Sequence, residues 1–171
     1  MQIFVSPGGR GSAKRLALQL SLLLLGLSAL GACDRSAKRA QGGPLPDEAF
    51  KARLSAENPP LFLEAGKEET VNVRVRNESA LTWPATGEQK YQIRLVARWT
   101  TAQGSHMLPR YETSAPLPAD LRPGEETEIN LPIHTPETPA EHTLELDMMQ
   151  GETLRFAQKG SPPLKLRVKV E

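Results

Sequence analysis

Apolar and polar residues alternate along most of the chain after Pro59, and this period of two restricts the fold more than any other feature. Successive side chains of a β-strand point to opposite sides, so each alternating run has one apolar face. The clearest run is residues 71–75, where three valines alternate with Asn72 and Arg74. Comparable runs predict strands at residues 61–63, 91–99, 107–113, 129–133, 144–148, 154–156 and 164–170.

These runs predict an all-β fold, an immunoglobulin-like antiparallel β-sandwich of seven or eight strands over residues 59–171. No segment of helix length interrupts the strands, and the 15 prolines and 13 glycines favour many turns. In an immunoglobulin-like strand order, the second strand pairs with the strand near 126–133. The strand at 144–148 then lies between the third and the last.

Two prolines refine this prediction. Residues 122–125 read Arg-Pro-Gly-Glu, which is typical of a type II turn. Pro132 cannot donate a hydrogen bond to a neighbouring strand, so its strand is expected at a sheet edge.

The start of the chain has the composition of a secretory leader. Arg10, Lys14 and Arg15 precede an apolar run over residues 16–30 that is shorter than the ~20 residues of a spanning helix. Leu30, Gly31, Ala32 and Cys33 then resemble the bacterial lipoprotein signal, which implies a signal peptide over 1–32 and lipidation of Cys33. An ordinary signal peptide and a retained membrane anchor are the alternatives.

Cys33 is the only cysteine, so the exported part is expected to have no disulfide. The lipoprotein resemblance implies acyl chains on Cys33, including palmitate, which hold the protein on a bilayer. Asp34 resembles the signal for retention in the inner membrane, facing the periplasm, while the outer membrane or cell surface stays open. Residues 33–58 are expected to be a flexible tether, with one short helix capped by Asp47 within 46–56.

Charge argues against a nucleic-acid partner. Removing the leader's three basic residues leaves 18 basic and 20 acidic side chains, a net charge of −2. The outward residues are basic on some strands and acidic on others, so a charge-balanced sheet is favoured. The alternative is a basic face for anionic glycans or lipid headgroups, which requires that the acidic strands do not interleave with the basic ones.

Several short motifs share an order and spacing that resemble the four-tryptophan immunoglobulin-like domain of a eukaryotic autophagy cargo receptor and its bacterial counterparts. The motifs are Val75-Arg76-Asn77, Trp83, Arg98-Trp99, Leu117-Pro118, the turn at 122–125, Thr135-Pro136, residues 144–147, Gly151 and Phe156. The resemblance implies a protein-binding or accessory module without catalysis.

The chain departs from this family pattern at several positions. Only two tryptophans are present, Arg155-Phe156 stands where bacterial members often have Trp-Phe, and His142 stands where they often have tyrosine. The candidate binding surface is Trp83, Trp99, Arg155 and Phe156, although core positions are favoured for both tryptophans.

The residues do not form a recognisable catalytic or zinc-binding pattern. His106, His134 and His142 lack the spacing of zinc ligands, and no nucleophile elbow occurs. A soft copper site of His106, Met107, His142, Met148 and Met149 is a minor alternative, opposed by an inward Met148. No cofactor, metal or small-molecule substrate is therefore expected.

The sequence predicts a membrane-anchored bacterial lipoprotein with a non-enzymatic binding or accessory module that contacts an envelope protein. The alternatives are a carbohydrate- or polyanion-binding envelope domain and a periplasmic copper-handling protein.

Overall fold

The structure, a computed structural model, describes residues 43–104 and 106–171. The expected signal peptide, the Leu30–Cys33 motif and Asp34 lie outside the described residues. Within the described part of the chain, no helix is long and apolar enough to cross a membrane.

The described chain is built from nine β-strands and three 3₁₀ turns. The strands are β1 (Ala52–Ser55), β2 (Phe62–Leu63), β3 (Glu68–Asn77), β4 (Ile93–Thr101), β5 (Met107–Pro116), β6 (Glu126–His134), β7 (Ala140–Gln150), β8 (Leu154–Arg155) and β9 (Leu164–Val170). The 3₁₀ turns are Asp47–Ala49, Gln89–Tyr91 and Phe156–Lys159.

Two sheets form the predicted immunoglobulin-like β-sandwich. One sheet has the order β1-β3-β6, and the other has the order β2-β9-β7-β4-β5, with β8 paired to β7. Every pairing is antiparallel except that of β2 with β9. Two sequence predictions are confirmed, because β3 pairs with β6 and β7 lies between β4 and β9.

The core contains the apolar residues that the alternation places on the inner faces. Val71, Val73 and Val75 of β3 are at most 3% exposed, and Leu144, Leu146 and Met148 of β7 are fully buried. Burying each large aliphatic side chain contributes ~1.5–3 kcal/mol, so facing rows of this kind hold the two sheets together.

The short helix expected within residues 46–56 is not formed. Instead, the 3₁₀ turn Asp47–Ala49 leads into β1, which pairs with β3 over four residues. A helix that short is unstable alone, whereas β1 gains a ladder of backbone hydrogen bonds on an existing strand. Since Leu45, Ala49 and Phe50 are also buried, the sandwich begins before the boundary expected at Pro59.

The turn and edge predictions are confirmed. The Glu125 amide donates to the Arg122 carbonyl at 3.0 Å, and Gly124 has a φ of 77°, as a type II turn requires. Pro132 is exposed on β6, which is the edge strand of its sheet.

Candidate functional site

An open groove of about 570 Å³ lies at one end of the larger sheet, where β7 begins and β9 ends. It crosses from Phe62 of β2 and the preceding Leu61 to Ala102 and Gln103, which follow β4. We call it the Phe62 groove. Apart from the buried His142 and Val168, the lining residues are Leu61, Phe62, Ala102, Gln103, Glu141, Arg167 and Lys169.

The apolar wall of the groove is unusually exposed. Phe62 is 63% exposed and Leu61 is 61% exposed, and within the described residues only Met107 joins them as an exposed large apolar side chain. Phe62 is opposite Lys169 in the β2–β9 pairing, and the Lys169 ammonium lies 5.8 Å from its ring centroid. The aromatic ring therefore borders directly on the polar part of the groove.

The polar part of the groove holds groups with unused hydrogen-bonding capacity. In the described chain, the side chains of Gln103, Glu141 and Arg167 make no hydrogen bond or ion pair. Lys169 differs, because its ammonium is 2.8 Å from the Glu171 carboxylate. An amide, a carboxylate and a guanidinium are thus free to bind a ligand.

A second hollow of about 290 Å³ extends the groove along the outer face of the same sheet. The two hollows share Ala102, Gln103 and Arg167. Thr100, Thr143, Glu145 and Lys165 also line the second hollow. Arg167 therefore lies where the two hollows meet.

Acidic and basic residues interleave across this outer face, as the favoured sequence interpretation predicts. Glu145 of β7 forms ion pairs with Arg98 of β4 and with Lys165 of β9, the latter at 3.3 Å. Burial would raise the pKa of Glu145, but Arg98 and Lys165 outweigh it and hold that pKa below its usual value. The requirement for an uninterrupted basic face is not met on this sheet.

Interleaving also occurs on the smaller sheet. Arg74 and Arg76 of β3 are opposite Glu128 and Glu126 of β6, at 3.0 and 2.9 Å. Each cation on this strand pair therefore already has a carboxylate beside it.

The aromatic residues of the predicted binding surface are enclosed in the core. Trp83 and Phe156 are both 0% exposed and pack edge to face with ring centroids 5.1 Å apart. Phe50 packs on Phe156 at 4.8 Å from the other side of the cluster. The segment that leads into β1 therefore covers these two residues.

Trp99 is likewise fully buried, and its ring packs edge to face against His142 at 6.1 Å. His142 is 6% exposed, and its Nε2 lies 3.2 Å from the Thr138 carbonyl oxygen. Both residues lie at the end of the core below the Phe62 groove, where His142 contributes to the lining. The core positions favoured for the two tryptophans are confirmed.

Arg155, the fourth residue of the predicted surface, is half-buried on β8. Its Nη2 donates to Glu112 Oε2 at 2.9 Å.

Asp147 is only 2% exposed because the turn Phe156–Lys159 lies against its strand, and the Ala157 amide donates to Asp147 Oδ2 at 3.3 Å. Burial raises the pKa of Asp147 to about 6. The alternation predicts that the Asp147 side chain points away from the core, but it does not predict that the turn Phe156–Lys159 covers it.

The structure does not group the residues of the alternative copper site. Met148 is fully buried, and it is six residues from His142 on β7, about 20 Å at strand spacing. Among residues 43–104 and 106–171, no three His, Cys, Asp or Glu side chains are grouped so that they could hold a metal ion.

Phe62 is the residue that sequence reasoning overlooks. The prediction for residues 61–63 uses Leu61 and Leu63 as the apolar pair, yet Leu61 is exposed and Leu63 is half-buried. The available clue is that three large apolar residues follow one another at 61–63, so an alternating strand must turn at least one of them to solvent.

Comparison with known proteins gives structural similarity but no family. No family model matches the chain, and no curated protein matches it. A mutant β-glucosidase from Listeria innocua in complex with laminaribiose is similar with a TM-score of 0.44 and 15% identity, over 71% of this chain and 16% of that one. The chain thus spans about a sixth of that enzyme.

Two further structures are similar at the same low identity. Spo0M, a sporulation control protein from Bacillus subtilis, has a TM-score of 0.36 and 15% identity over 71% of this chain and 49% of its own. Native alpha-2-macroglobulin from Escherichia coli has a TM-score of 0.39 and 15% identity over 72% and 17%. At these scores, the activities of the three proteins give no information about this chain.

Proposed function

We propose that this protein is a lipid-anchored module of the bacterial cell envelope that binds an envelope component through its β-sandwich without catalysing a reaction. The sequence of the leader, with Leu30, Gly31 and Ala32 before Cys33, supports the anchor. The observation that carries the binding role is the Phe62 groove, where an exposed aromatic ring borders polar groups that have no partner in the described chain.

The placement of the groove suits an anchored protein. Leu45 donates its amide hydrogen to Gln150 Oε1 at 3.0 Å, so the described chain begins next to the last residue of β7. Glu141 of the groove lies nine residues earlier on that strand, about 30 Å away. A tether attached at the far end of β7 leaves the groove free to face away from the membrane.

A protein partner is the class that the family resemblance implies. This resemblance singles out Trp83, Trp99 and Phe156, which are buried. A protein partner would instead have to contact Leu61 and Phe62. A carbohydrate partner is the second candidate, and the combination of one exposed ring with unpaired polar groups favours it.

Addition of a partner strand is disfavoured at three of the four described sheet edges, β2, β5 and β6, by prolines, and the fourth edge strand, β1, is only four residues long. Pro59 and Pro60 precede the two-residue β2, Pro109 and Pro116 lie on β5, and Pro132 lies on β6. Proline on an edge strand removes a donor and blocks pairing with another chain. Recognition therefore depends on side chains, and the Phe62 groove offers them.

The anchor is tested by labelling and fractionation. We expect Cys33→Ala to abolish palmitate labelling and to release the protein from membranes. Continued membrane association of this variant would show that the leader is an uncleaved anchor.

Envelope binding is tested by photo-crosslinking in intact cells. With a photoreactive phenylalanine at position 62 we expect a crosslinked adduct, and at Met107, which is exposed but does not line the groove, we expect none. Absence of any adduct at position 62, or equal adducts at both positions, would contradict binding at this groove.

A further inference from the structure

We infer that the Phe62 groove binds a neutral oligosaccharide, an assignment that rests on the proposed role of the sandwich as a binding module. A sugar ring presents an apolar face of C–H groups and a rim of hydroxyls. The groove presents the matching pair of features, an exposed aromatic ring on one wall and polar side chains on its floor.

The aromatic wall supplies the stacking surface. The flat Phe62 ring is 63% exposed, and Leu61 beside it is 61% exposed. Aromatic side chains offer a large rigid contact area that loses little conformational freedom on binding. The Lys169 ammonium, 5.8 Å from the ring centroid, keeps a donor next to this surface.

The polar floor suits hydroxyl groups. Glu141 only accepts hydrogen bonds, Arg167 only donates them, and Gln103 does both. None of these three side chains has a hydrogen bond or ion pair within the described residues. Because each sugar hydroxyl both donates and accepts, a mixed set of this kind can satisfy several of them at once.

The balance of charge selects a neutral ligand over an anionic one. Lys169 is paired with Glu171 at 2.8 Å, and Lys165 is paired with Glu145 at 3.3 Å. Arg167 is then the one unpaired cation lining the two described hollows, and Glu141 on the neighbouring strand is opposite Lys169, two residues further along β9. An acidic glycan or an anionic lipid surface would meet the carboxylates of Glu141 and Glu145 in the lining, and that of Glu171 beside Lys169.

The small apolar area selects a glycan over a protein. Stable protein interfaces have a fully buried apolar centre within an area of ~800 Å² on each partner. Near the groove, Leu61 and Phe62 are the exposed large apolar side chains, and charged residues surround them. The groove volume of about 570 Å³ is within the range of small-ligand sites, and the adjoining 290 Å³ is at the lower limit of that range.

The presence of two adjoining hollows indicates a short chain rather than a single sugar. The two hollows meet at Arg167 and Gln103 and continue along the outer face past Thr100 and Thr143. The Thr100 hydroxyl is buried and already donates to the Thr101 carbonyl oxygen at 3.2 Å, so the charged groups of Glu145 and Lys165 extend the row of hydrogen-bonding groups beyond the stacking wall. We therefore expect affinity to rise from a monosaccharide to a trisaccharide.

The test is direct binding of defined sugars to the full chain purified in a detergent without a sugar headgroup. The probes are neutral trisaccharides of glucose, mannose and N-acetylglucosamine, with trigalacturonate as the acidic counterpart, measured by isothermal titration calorimetry. We expect at least one neutral trisaccharide to bind with a millimolar or lower Kd, a roughly tenfold or greater loss in Phe62→Ala, and a comparable loss in Arg167→Ala.

Matched variants at residues that line neither hollow separate loss of contact from loss of folding. Met107→Ala removes another exposed apolar side chain, and Arg53→Ala removes another exposed arginine, on β1 of the opposite sheet. Both are expected to bind like the unaltered chain.

Three outcomes would overturn the assignment. They are no binding of any neutral trisaccharide, tighter binding of trigalacturonate, and binding that is unchanged in Phe62→Ala and Arg167→Ala. A protein crosslinked at position 62 in cells, together with no sugar binding, would assign the groove to a protein. Release of the anchor by Cys33→Ala is measured separately, so failure of sugar binding leaves the anchored module standing.

Discussion

The indole nitrogen of Trp83 donates a hydrogen bond to the backbone oxygen of Ala49, 2.9 Å away. This bond joins the segment before β1 to the centre of the sandwich, and the next residue, Phe50, enters the aromatic cluster with Phe156. The beginning of the described chain is therefore part of the folded core. A chain cut at Pro59 would lose these contacts and β1 together.

Phe50→Ala is expected to destabilise the fold by about 3–5 kcal/mol, the usual cost of deleting a buried phenylalanine. The side chain is 1% exposed and packs edge to face on Phe156, so a cavity would open next to Trp83. Urea unfolding followed by circular dichroism measures the change. Phe62→Ala is the matched control and should stay within ~0.5 kcal/mol; equal losses would mean that the segment does not pack as described.

Asp147→Asn is expected to stabilise the protein above pH 6 but not in acid. Burial raises the pKa of Asp147 to about 6 from a usual value of 3.8, so the folded state binds a proton that the unfolded state has released. The stability that the Asp147 carboxyl contributes is therefore present below pH 4 and is lost as the pH rises through 6. The amide stays neutral and avoids that loss, which is on the order of 2 kcal/mol at neutral pH.

Unfolding free energies at pH 4 and pH 8 measure this difference. The exposed Glu48→Gln, which also removes one carboxylate, serves as the control and should show no such change between the two pH values. An Asp147→Asn variant that is less stable than the unaltered chain at pH 8 would show that the ionised carboxylate is favourable beside Arg98 and Arg155.

Gly151→Ala is expected to destabilise the fold by more than the left-handed backbone penalty alone. Gly151 has a φ of 63°, and a Cβ there would lie 2.3 Å from the Lys90 carbonyl oxygen. Gly160 also has a positive φ, 89°, but a Cβ there would meet nothing within 4 Å. Gly160→Ala should therefore cost ~1–2 kcal/mol, the left-handed penalty, and Gly151→Ala at least ~1 kcal/mol more in thermal unfolding. Equal costs would show that the 89–91 turn moves aside freely.

The strands could be predicted because local rules and the fold agree there. Val71, Val73 and Val75 alternate with polar residues and pack inward, and Pro132 lies at an edge because it has no hydrogen to donate. The failures concern contacts between distant segments. Nothing in the local pattern shows that Phe50 enters a cluster with Trp83 and Phe156, or that a later turn covers Asp147.

The site was harder to predict than the fold for a related reason. The resemblance directed attention to Trp83 and Trp99, because large aromatics are common at binding surfaces. Exposure depends on tertiary packing, which buries both and leaves Phe62 at the surface. The polar groups around Phe62 come from residues 103, 141 and 167, so only the folded sheet brings them into one groove.

Asn77→Ala is expected to be among the most damaging polar substitutions. The Asn77 side chain is fully buried, and its Nδ2 donates to the carbonyl oxygens of Leu81 at 2.7 Å and Leu121 at 2.9 Å. Its Oδ1 accepts from the Ser79 amide at 2.9 Å. One side chain thus holds the end of β3 to two loops. Its removal takes one of two hydrogen bonds from the carbonyl oxygens of Leu81 and Leu121, which keep those from the Ser79 hydroxyl and the Trp83 amide. It also leaves the buried Ser79 amide without its partner, at ~1–3 kcal/mol for an unsatisfied group.

Asn72→Ala is the matched control, because Asn72 is exposed on the same strand and is opposite Asn130 of β6. We expect that change to stay within ~0.5 kcal/mol. Asn77→Asp keeps the acceptor for Ser79 but loses both donors, so its stability should fall close to that of Asn77→Ala. If Asn77→Asp instead unfolds like the unaltered chain, the bonds to Leu81 and Leu121 contribute little and the Ser79 bond is the important one.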